Sequence, residues 1–455
     1  MSNITLQSVL QLRQNYWFLP SILTAVALVL GFLLPYVDTL LGVEWMAGVP
    51  FVRPMGVDGA RAVLTTLGTA ILGVAGVAFS ITIVAVSFAS GNYGPRLIGN
   101  FMRDRTNQVV LAIFVATFVY CVTVLSTVHA RYEDLPEALA SFVPQVSVLF
   151  AVFLALVSVG ALIVYIHHVP ESINIMNLVS GIGGKLERSI IVMCDEEEAR
   201  HAERGGSVDV GAWPSPEPTD KLDVRAPEGG YLQQIDLKAL DRLARKHDLH
   251  VFVRTAPGDF VARGDVVVAI SPTARAEGKR ESIERYFTLG SSRTEEQDIA
   301  FLSDQLVEVL ARALSAGVND PHTAMLCLDW LRAGLSAFAT RRPGPPTSHE
   351  RVHHTRVTFE GLVERTFGRM RQYISGDRNV TLYAITVLAD LAAAASSEER
   401  AEVVAAQMRA LAQSAEEMLT ESAARQEVAD HLREATDAIS ARRAGTRTLP
   451  TPQAA

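Results

Sequence analysis

Four long apolar runs constrain the fold of this chain more than any other feature. They cover about residues 17–41, 62–89, 108–128 and 142–167. Each reaches the roughly 20 apolar residues that a helix needs to cross the hydrocarbon core of a bilayer. The first run is too long for a signal-peptide core and lacks a small-residue cleavage site at its end, so we expect it to be retained. The runs predict a transmembrane domain over residues 1–169.

A large polar portion follows these runs. The mean hydropathy is +0.21 although 20% of the residues are charged, because apolar residues are concentrated before about residue 170 and charged residues after it. The net charge of −8 argues against nucleic acid as a partner, since phosphate binding requires a basic face. The three cysteines, Cys121, Cys194 and Cys327, are far apart and indicate neither a disulfide framework nor a Cys-ligated zinc site.

The loop between the second and third runs carries Arg96, Arg103 and Arg105, whereas the next loop carries one arginine beside three acidic residues. Because Lys and Arg concentrate in cytoplasmic loops, we expect the arginine-rich loop and both termini on the cytoplasmic side of the membrane. In an oligomer the three arginines would form a cationic collar at the inner mouth. Alternatively, they serve only as the orientation signal.

Small or hydroxylated residues recur at three- and four-residue steps along the second run, which places them on one stripe of a helix. They are Thr66, Thr69, Gly73, Gly76, Ser80, Ser87 and Ser90. Such a stripe is typical of close helix packing in lipid, or it lines a permeation path with hydroxyl groups. Because a single four-helix bundle has a filled core, a pore would need several subunits, and we expect a homo-oligomer.

The fourth run ends in a histidine pair. His167 and Glu171 are one helical turn apart, His168 is their neighbour, and Pro170 is placed to kink the turn. The group is a candidate pH sensor. The alternative is an interfacial histidine pair with a helix-capping role. Two ligands are too few for a closed metal site, so we expect no metal there.

The chain after residue 169 divides by pattern. We predict a helical stalk over residues 170–206, a linker over 207–222 and a small β module over 223–273 with an inserted helix. Glycine-containing turns and β-branched runs indicate the short strands of this module. It is similar to a barrel-sandwich, lipoyl-like domain. Neither hairpin turn carries the lysine that a lipoyl or biotinyl group requires, so we expect no covalent cofactor.

The remaining segments are predicted to be mainly helical. They comprise a helical domain over 279–340, a linker over 341–356, a helical region over 357–442 and a disordered tail over 443–455. Within the second linker, His349–His353 reads HERVH and fits the H-E-x-x-H zinc pattern, which requires a helix. Prolines precede it and a strand-like VTFEG follows it, so we expect a solvated loop without zinc.

Polar residues recur along two predicted helices and the turn between them. They are Arg293, Gln297, Asp298, Gln305, Arg312, Asn319, Asp320 and Thr323. Asn319 or Asp320 is placed to cap the second helix, with Pro321 at its first position. The group is either a buried structural network or a small-ligand pocket or subunit contact. It offers no nucleophile with a base, no carboxylate cluster and no phosphate loop, so we do not expect an enzyme.

The segment RTEEQDIAFLSDQLVEVLARALSAGVNDPHTAMLCLDWL resembles the signature of a bacterial family of predicted membrane proteins of unknown function. That signature runs approximately R-x3-QD, then QL, then RALSPGINDPxTA. This chain departs from it at Ala316, where the family usually has proline, and at Val318. The resemblance extends to SFASGNYGPRLIGNFMRD after the second run and to YIHHVPESI after the fourth. It implies four spans and a cytoplasmic tail in a protein of the bacterial inner membrane, but no established activity.

These observations together predict a mainly α membrane protein, with a four-helix transmembrane region and a cytoplasmic α+β portion. The expected function is an oligomeric channel-like or transport protein with a cytoplasmic regulatory domain. The alternative is a membrane-anchored sensor or scaffold without a permeation path. The expected partners are the lipid bilayer, further copies of the chain, and a small ion or ligand that the sequence does not identify.

Overall fold

The computed structural model describes residues 17–41, 54–93, 104–129, 142–203, 219–278, 283–341, 351–355 and 357–443. The chain divides into two compact units, Met1–Asn177 and Leu178–Ala455. We call them the membrane unit and the C-terminal unit. The predicted tail beyond residue 443, and most of the two predicted linkers, lie outside the described residues.

The membrane unit contains four described helices, each long and apolar enough to cross a membrane. They are α1 (Phe18–Leu41), α2 (Val57–Tyr93), α3 (Arg105–Thr127) and α4 (Gln145–Ile173). The four predicted spans are therefore confirmed as candidate membrane helices. The longest is α2, with 37 residues.

Two apolar clusters form the interior of this unit. Leu64, Tyr120 and Val124 belong to the first, and Ile71 and Phe114 belong to the second. Small residues let the helices approach closely. A Cβ atom at Gly31 of α1 would lie 2.7 Å from the Cβ of Thr123 on α3, so only glycine fits at this crossing.

The chain resumes as helix α5 (Ile175–Glu203) one residue after α4 ends. The signature segment ends within α9 (Pro321–Ala339), and α5 packs against this helix. A Cβ atom at Gly183 would lie 2.5 Å from the Cβ of Trp330, and one at Gly334 would lie 3.0 Å from the Cγ of Leu186. The part of the predicted stalk that forms α5 therefore packs against a helix of the C-terminal unit.

Two small sheets follow α5. The seven described strands and two short helices are β1 (Leu222–Arg225), β2 (Gly230–Ile235), α6 (Leu237–His247), β3 (His250–Val253), β4 (Phe260–Val261), β5 (Val266–Ser271), α7 (Thr273–Ala276), β6 (Phe287–Gly290) and β7 (Val352–His354). One sheet has the order β1-β5-β3-β7 and the other β4-β2-β6. All strand pairs are antiparallel except β3 with β7. Leu232, Leu240, Val251, Val268 and Ile270 are fully buried in their shared core.

The expectation of a solvated loop at the HERVH motif is wrong in its C-terminal part. Val352–His354 forms β7, and the backbone N–H of Val251 donates to the carbonyl of Arg351 over 2.8 Å. Val352 is fully buried, and this burial stabilises β7. The prolines before it had indicated a loop instead. The expected strand at VTFEG is also wrong. Thr358 caps a helix there, accepting from Gly361 N over 3.0 Å.

The other helices of this unit are α8 (Ile299–Ala313), α10 (Phe359–Ile374), α11 (Arg378–Ala394), α12 (Glu398–Met418) and α13 (Ser422–Arg443). Side-chain caps define several of their starts. Asp298, Asp377 and Ser397 each accept a hydrogen bond from a backbone N–H in the first turn that follows. Four apolar N-terminal helices followed by a helical and small-sheet region confirm the predicted fold class.

Candidate functional site

The stripe on α2 is the outer face of that helix. Thr66, Thr69, Gly73, Gly76, Ser80 and Ser87 are exposed, and Ser90 is half-buried. A Cβ atom at Gly73 or at Gly76 would meet nothing within 4 Å. The residues that pack against the other described spans lie on the opposite side of the helix, for example Leu64, Ile71 and Ala75. The stripe therefore does not serve packing among the described spans of its own chain.

The predicted arginine collar is described only in part. Arg96 and Arg103 lie outside the described residues. Arg105 is the exposed first residue of α3. The preceding Asp104 caps this helix, because its Oδ1 accepts from the backbone N–H of Thr106 over 2.9 Å.

The histidine group at the end of α4 is divided between two contacts. His167 lies 3.4 Å from Glu171, and both side chains are more than half exposed. His168 instead pairs with Asp104 across the helices, and this pair is mostly buried. Sequence reasoning missed Asp104 as the partner, although an aspartate directly before a span is a usual capping signal.

A carboxylate near the other end of the membrane unit was also missed. Asp38 of α1 is 6% exposed. It accepts hydrogen bonds from the backbone N–H groups of Val146 and Ser147 over 2.8 and 3.0 Å, and from the Ser147 hydroxyl over 2.6 Å. It thus caps α4 in place of Pro144, whose side chain makes no capping hydrogen bond. A lone aspartate inside an apolar run is the sequence signal that could have indicated it.

Hydroxyl pairs lie between these two ends. Thr117 of α3 and Ser158 of α4 have their hydroxyl oxygens 3.1 Å apart. Thr82 of α2 and Tyr165 of α4 have theirs 2.9 Å apart. Tyr120 donates to the carbonyl of Ser147 over 3.0 Å. The interior of the membrane unit therefore contains several polar contacts among apolar side chains.

In the C-terminal unit, the signature residue Arg293 contacts a carboxylate that sequence reasoning missed. Asp304 of α8 has a 5% exposed side chain and binds three arginines. Arg293 donates to it over 2.7 Å, Arg365 over 2.7 Å and Arg369 over 2.9 Å. Burial alone would raise the pKa of Asp304, but hydrogen bonds from Arg365 and Arg293 outweigh burial and hold the pKa below its ordinary value.

Asp298 shares Arg293 with Asp304. Arg293 donates to Asp298 over 2.7 Å, and Asp298 caps α8 by accepting from Phe301 N over 3.0 Å. Burial raises the pKa of Asp298 above its ordinary value, and Arg293 opposes the shift. The carboxylate also lies against the turn before β4, since a Cβ atom at Gly258 would stand 2.0 Å from Asp298 Oδ2.

The other signature residues are dispersed. The Gln297 side chain makes two hydrogen bonds to the backbone of β2. It accepts from Ile235 N over 2.9 Å and donates to Ile235 O over 3.2 Å. Gln305 is 2% exposed, and its Oε1 has no partner among the described residues. Arg312 is half-buried. The structure therefore places Arg293, Asp298 and Gln297 beside the two small sheets, which we call the β part. The other signature residues do not join them in one site.

The turn after α8 is exposed. Residues 315–319 are all exposed, and Asn319 has a φ of 49°, which asparagine tolerates better than most residues. Asp320 caps α9 by accepting from Thr323 N over 3.2 Å, and its other oxygen accepts from the Thr323 hydroxyl over 2.6 Å. The hydrogen bond from Thr323 is the main reason that the pKa of Asp320 lies below its ordinary value.

We find no metal-binding group in the described part of the chain, where no three His, Cys, Asp or Glu side chains are placed to hold an ion. Of the HERVH residues, His353 stacks on Phe252 with ring centroids 4.9 Å apart, and its ring also lies against His250. Burial and then the His250 charge lower the pKa of His353. Burial raises the pKa of the Cys327 thiol, which disfavours a thiolate nucleophile.

Fold and site together define an integral membrane protein with four apolar helices and a larger C-terminal unit. The chain belongs to the family described as "Predicted membrane protein (DUF2254)", which matches residues 13–390. It is 32% identical over 341 residues to an uncharacterized protein of Mycobacterium bovis and to one of Mycobacterium tuberculosis. The alignment covers 72% of this chain and 61% of each relative. No solved structure matches the chain.

Proposed function

We propose that this protein is an oligomeric, channel-like or transport protein of the bacterial inner membrane and not an enzyme. The α2 helices of several subunits would surround a path for a small ion or ligand. The observation that carries this proposal is the outward exposure of the α2 stripe. A membrane helix that turns hydroxyls and glycines away from its own bundle has its most polar face directed at lipid unless another subunit covers it.

A comparison with α1 supports this reading. The exposed side of α1 carries large apolar side chains, such as Val29, Phe32 and Leu40, which suit contact with lipid chains. The exposed stripe of α2 instead carries Thr69, Gly73 and Ser80. Small residues let helices approach closely in a membrane, and hydroxyls favour a wet wall. The exposed side of α2 also carries large apolar side chains, such as Val84 and Phe88, so the stripe itself is the part of this side that fits an assembly around a path.

The orientation follows from the arginine-rich loop, which we place in the cytoplasm together with both termini. The C-terminal unit would then be the cytoplasmic regulatory part. The tight packing of α5 supports this assignment. Lys185 Nζ on α5 lies 2.9 Å from Glu295 Oε1, and Gly183 and Gly334 permit close contact with α9. Since α5 follows α4 after one residue, a rearrangement of the signature helices would act on the end of a span.

The test is salt flux through the purified full chain in sealed liposomes, compared with protein-free liposomes. Ser80→Leu fills the stripe and should abolish the flux. Ala25→Leu, which adds a large side chain at an exposed position of α1, is the matched control and should leave it unchanged. Flux that survives Ser80→Leu in a folded protein would contradict the role of α2.

The alternative is a membrane-anchored sensor or scaffold without a permeation path. The exposed turn of residues 315–319 favours it, because Val318 is 47% exposed on a surface that no described part of the chain covers. This reading predicts no flux of any salt in liposomes. It also predicts that Val318→Asp weakens an association of the C-terminal unit while the protein stays folded.

A further inference from the structure

We propose that each subunit also conducts protons, along a line of buried polar side chains inside its own four-helix bundle. The line is separate from the α2 stripe and does not need an oligomer. From one end of the bundle to the other its members are Asp38, Ser147, Tyr120, Thr117, Ser158, Thr82, Tyr165, His168 and Asp104. The proposal goes beyond a path between subunits, because it places a route within one chain.

The first end of the line is an acid. Asp38 is 6% exposed and contacts Ser147, which is fully buried. Ionisable groups within spans are costly to bury, and in membrane proteins they commonly mark ion or proton pathways. A carboxylate can take up a proton and release it to a hydroxyl. Tyr120, also fully buried, donates to the carbonyl of the same Ser147, so the phenol lies beside this end.

The middle of the line is a pair of hydroxyls. Thr117 precedes Tyr120 by three residues on α3, which places both side chains on one face of the helix. The Thr117 hydroxyl lies 3.1 Å from that of Ser158. The two side chains are 1% and 3% exposed. A hydroxyl both donates and accepts hydrogen bonds, so it can receive one proton while it releases another.

The second end joins a phenol to a histidine and an aspartate. The Tyr165 hydroxyl lies 2.9 Å from that of Thr82, and His168 follows Tyr165 by three residues on α4. His168 contacts Asp104. Asn107, one turn along α3, donates to Asp104 over 3.4 Å and is 5% exposed, and its Oδ1 has no partner among the described residues. An unpaired buried acceptor beside other polar side chains is a usual binding point for internal water.

The line is interrupted between its hydrogen-bonded pairs, and the longest interruption is an apolar interval on α4. Ser158 and Tyr165 are seven residues apart on α4, or about 10 Å at 1.5 Å per residue. Phe114 lies one turn from Thr117 in this interval and belongs to the same apolar cluster as Tyr165. Protons would therefore need water between the pairs, and Phe114 lies in the longest interval, which makes this side chain the proposed gate.

The transfer is a balanced sequence of exchanges. A proton from one aqueous side binds the Asp38 carboxylate. Each hydroxyl or water along the line accepts one proton and gives up another, so only O–H and N–H bonds form and break. The last proton leaves from the pair of His168 and Asp104 to the other side. The net result is one proton carried across the membrane, driven by the electrochemical gradient.

The experiment measures acidification of liposomes that enclose a pH-sensitive dye and contain the full-chain protein. A potassium gradient with valinomycin supplies the driving potential. We expect faster acidification than in protein-free liposomes. Asp38→Asn, and the double variant Thr117→Val with Ser158→Ala, should reduce the rate to that of protein-free liposomes. The matched control is Thr39→Val, since Thr39 is exposed one residue from Asp38, and it should keep the wild-type rate.

Two further variants distinguish proton transfer from misfolding and from the α2 path. Phe114→Ala should acidify faster than the wild type, a gain that misfolding would not mimic if size-exclusion profiles in detergent stay unchanged. Ser80→Leu should abolish salt flux but preserve acidification, which separates this proposal from the α2 path. Acidification equal to protein-free liposomes, or acidification that Asp38→Asn leaves intact, would overturn the proposal. So would a loss caused by Ser80→Leu alone.

Discussion

The Nη1 atom of Arg293 lies 2.7 Å from the buried Oδ2 of Asp304. This contact joins the segment between β6 and α8 to the middle of α8. Arg365 and Arg369 reach the same carboxylate from α10. One carboxylate therefore holds three chain segments together. Buried charges of this kind are destabilising when a partner is removed, since the remaining charge is left without compensation.

We expect Asp304→Ala to lower the free energy of unfolding by about 1.5–3 kcal/mol, because it removes the hydrogen bonds of a buried carboxylate, while Arg293 keeps Asp298 as a partner and Arg369 is 55% exposed. Glu402→Ala is the matched control. Glu402 also pairs with an arginine, but its side chain is 64% exposed, and removing such a pair costs about 0–1 kcal/mol. Equilibrium urea unfolding of the full chain in detergent measures both. Equal losses would show that the Asp304 cluster contributes no more stability than an exposed ion pair.

The free energy of unfolding should depend on pH through the protonation of Asp304. Its pKa in the folded state lies below the unfolded value of 3.8, so its contribution is fully present above that value. The contribution is lost as the pH falls below 3.8 towards the folded pKa. We expect Asp304→Asn to flatten this part of the profile relative to wild type. Urea midpoints at several pH values between neutral and acid supply the comparison, and parallel profiles would contradict it.

Gly258→Ala should destabilise the contact between the β part and α8. Gly258 has a φ of 97°, and its Cβ would stand 2.0 Å from Asp298 Oδ2. Gly264→Ala is the matched control, because Gly264 has a φ of 93° and open space around it. Backbone strain alone costs about 1–2 kcal/mol. We expect the clash to add about 1–3 kcal/mol at Gly258, measured as the difference between the two urea curves.

Gly183→Ala should loosen α5 from α9. The new Cβ would stand 2.5 Å from that of Trp330, and overpacking of this kind costs about 1–3 kcal/mol. Gly181→Ala is the control two residues earlier, where nothing lies within 4 Å. It should stabilise the helix by up to about 1 kcal/mol. Proteolysis within α5 reports the difference, and equal cleavage rates in the two variants would argue against the packing.

Local signals predicted the local features of this fold. Apolar runs identified the four spans, and turn residues identified most strands of the β part. Asp320 was one of two candidates for the cap of α9, and it is the cap. These predictions succeed because a span, a turn and a cap each depend on residues near one another in the chain.

Long-range contacts were not predictable in this way. Asp38 reaches Ser147 and Arg365 reaches Asp304 across wide sequence separations, and no local pattern relates such pairs. The direction of the α2 stripe is a similar case. Helical spacing shows that Thr69 and Ser80 share a face, but only the packing of Leu64 and Ile71 against the other spans shows which way that face points. β7 was missed because its stability comes from pairing with β3.

The position of β6 and β7 has a consequence for unfolding. β6 lies before α8, β7 lies after α9, and both strands pair within the small sheets. The two signature helices are therefore inserted between strands of one β structure and tied to it at both ends. Unfolding of these helices would free β6 and β7 from the segment that joins them, so we expect the sheets and the signature helices to exchange their amide hydrogens as a single cooperative unit.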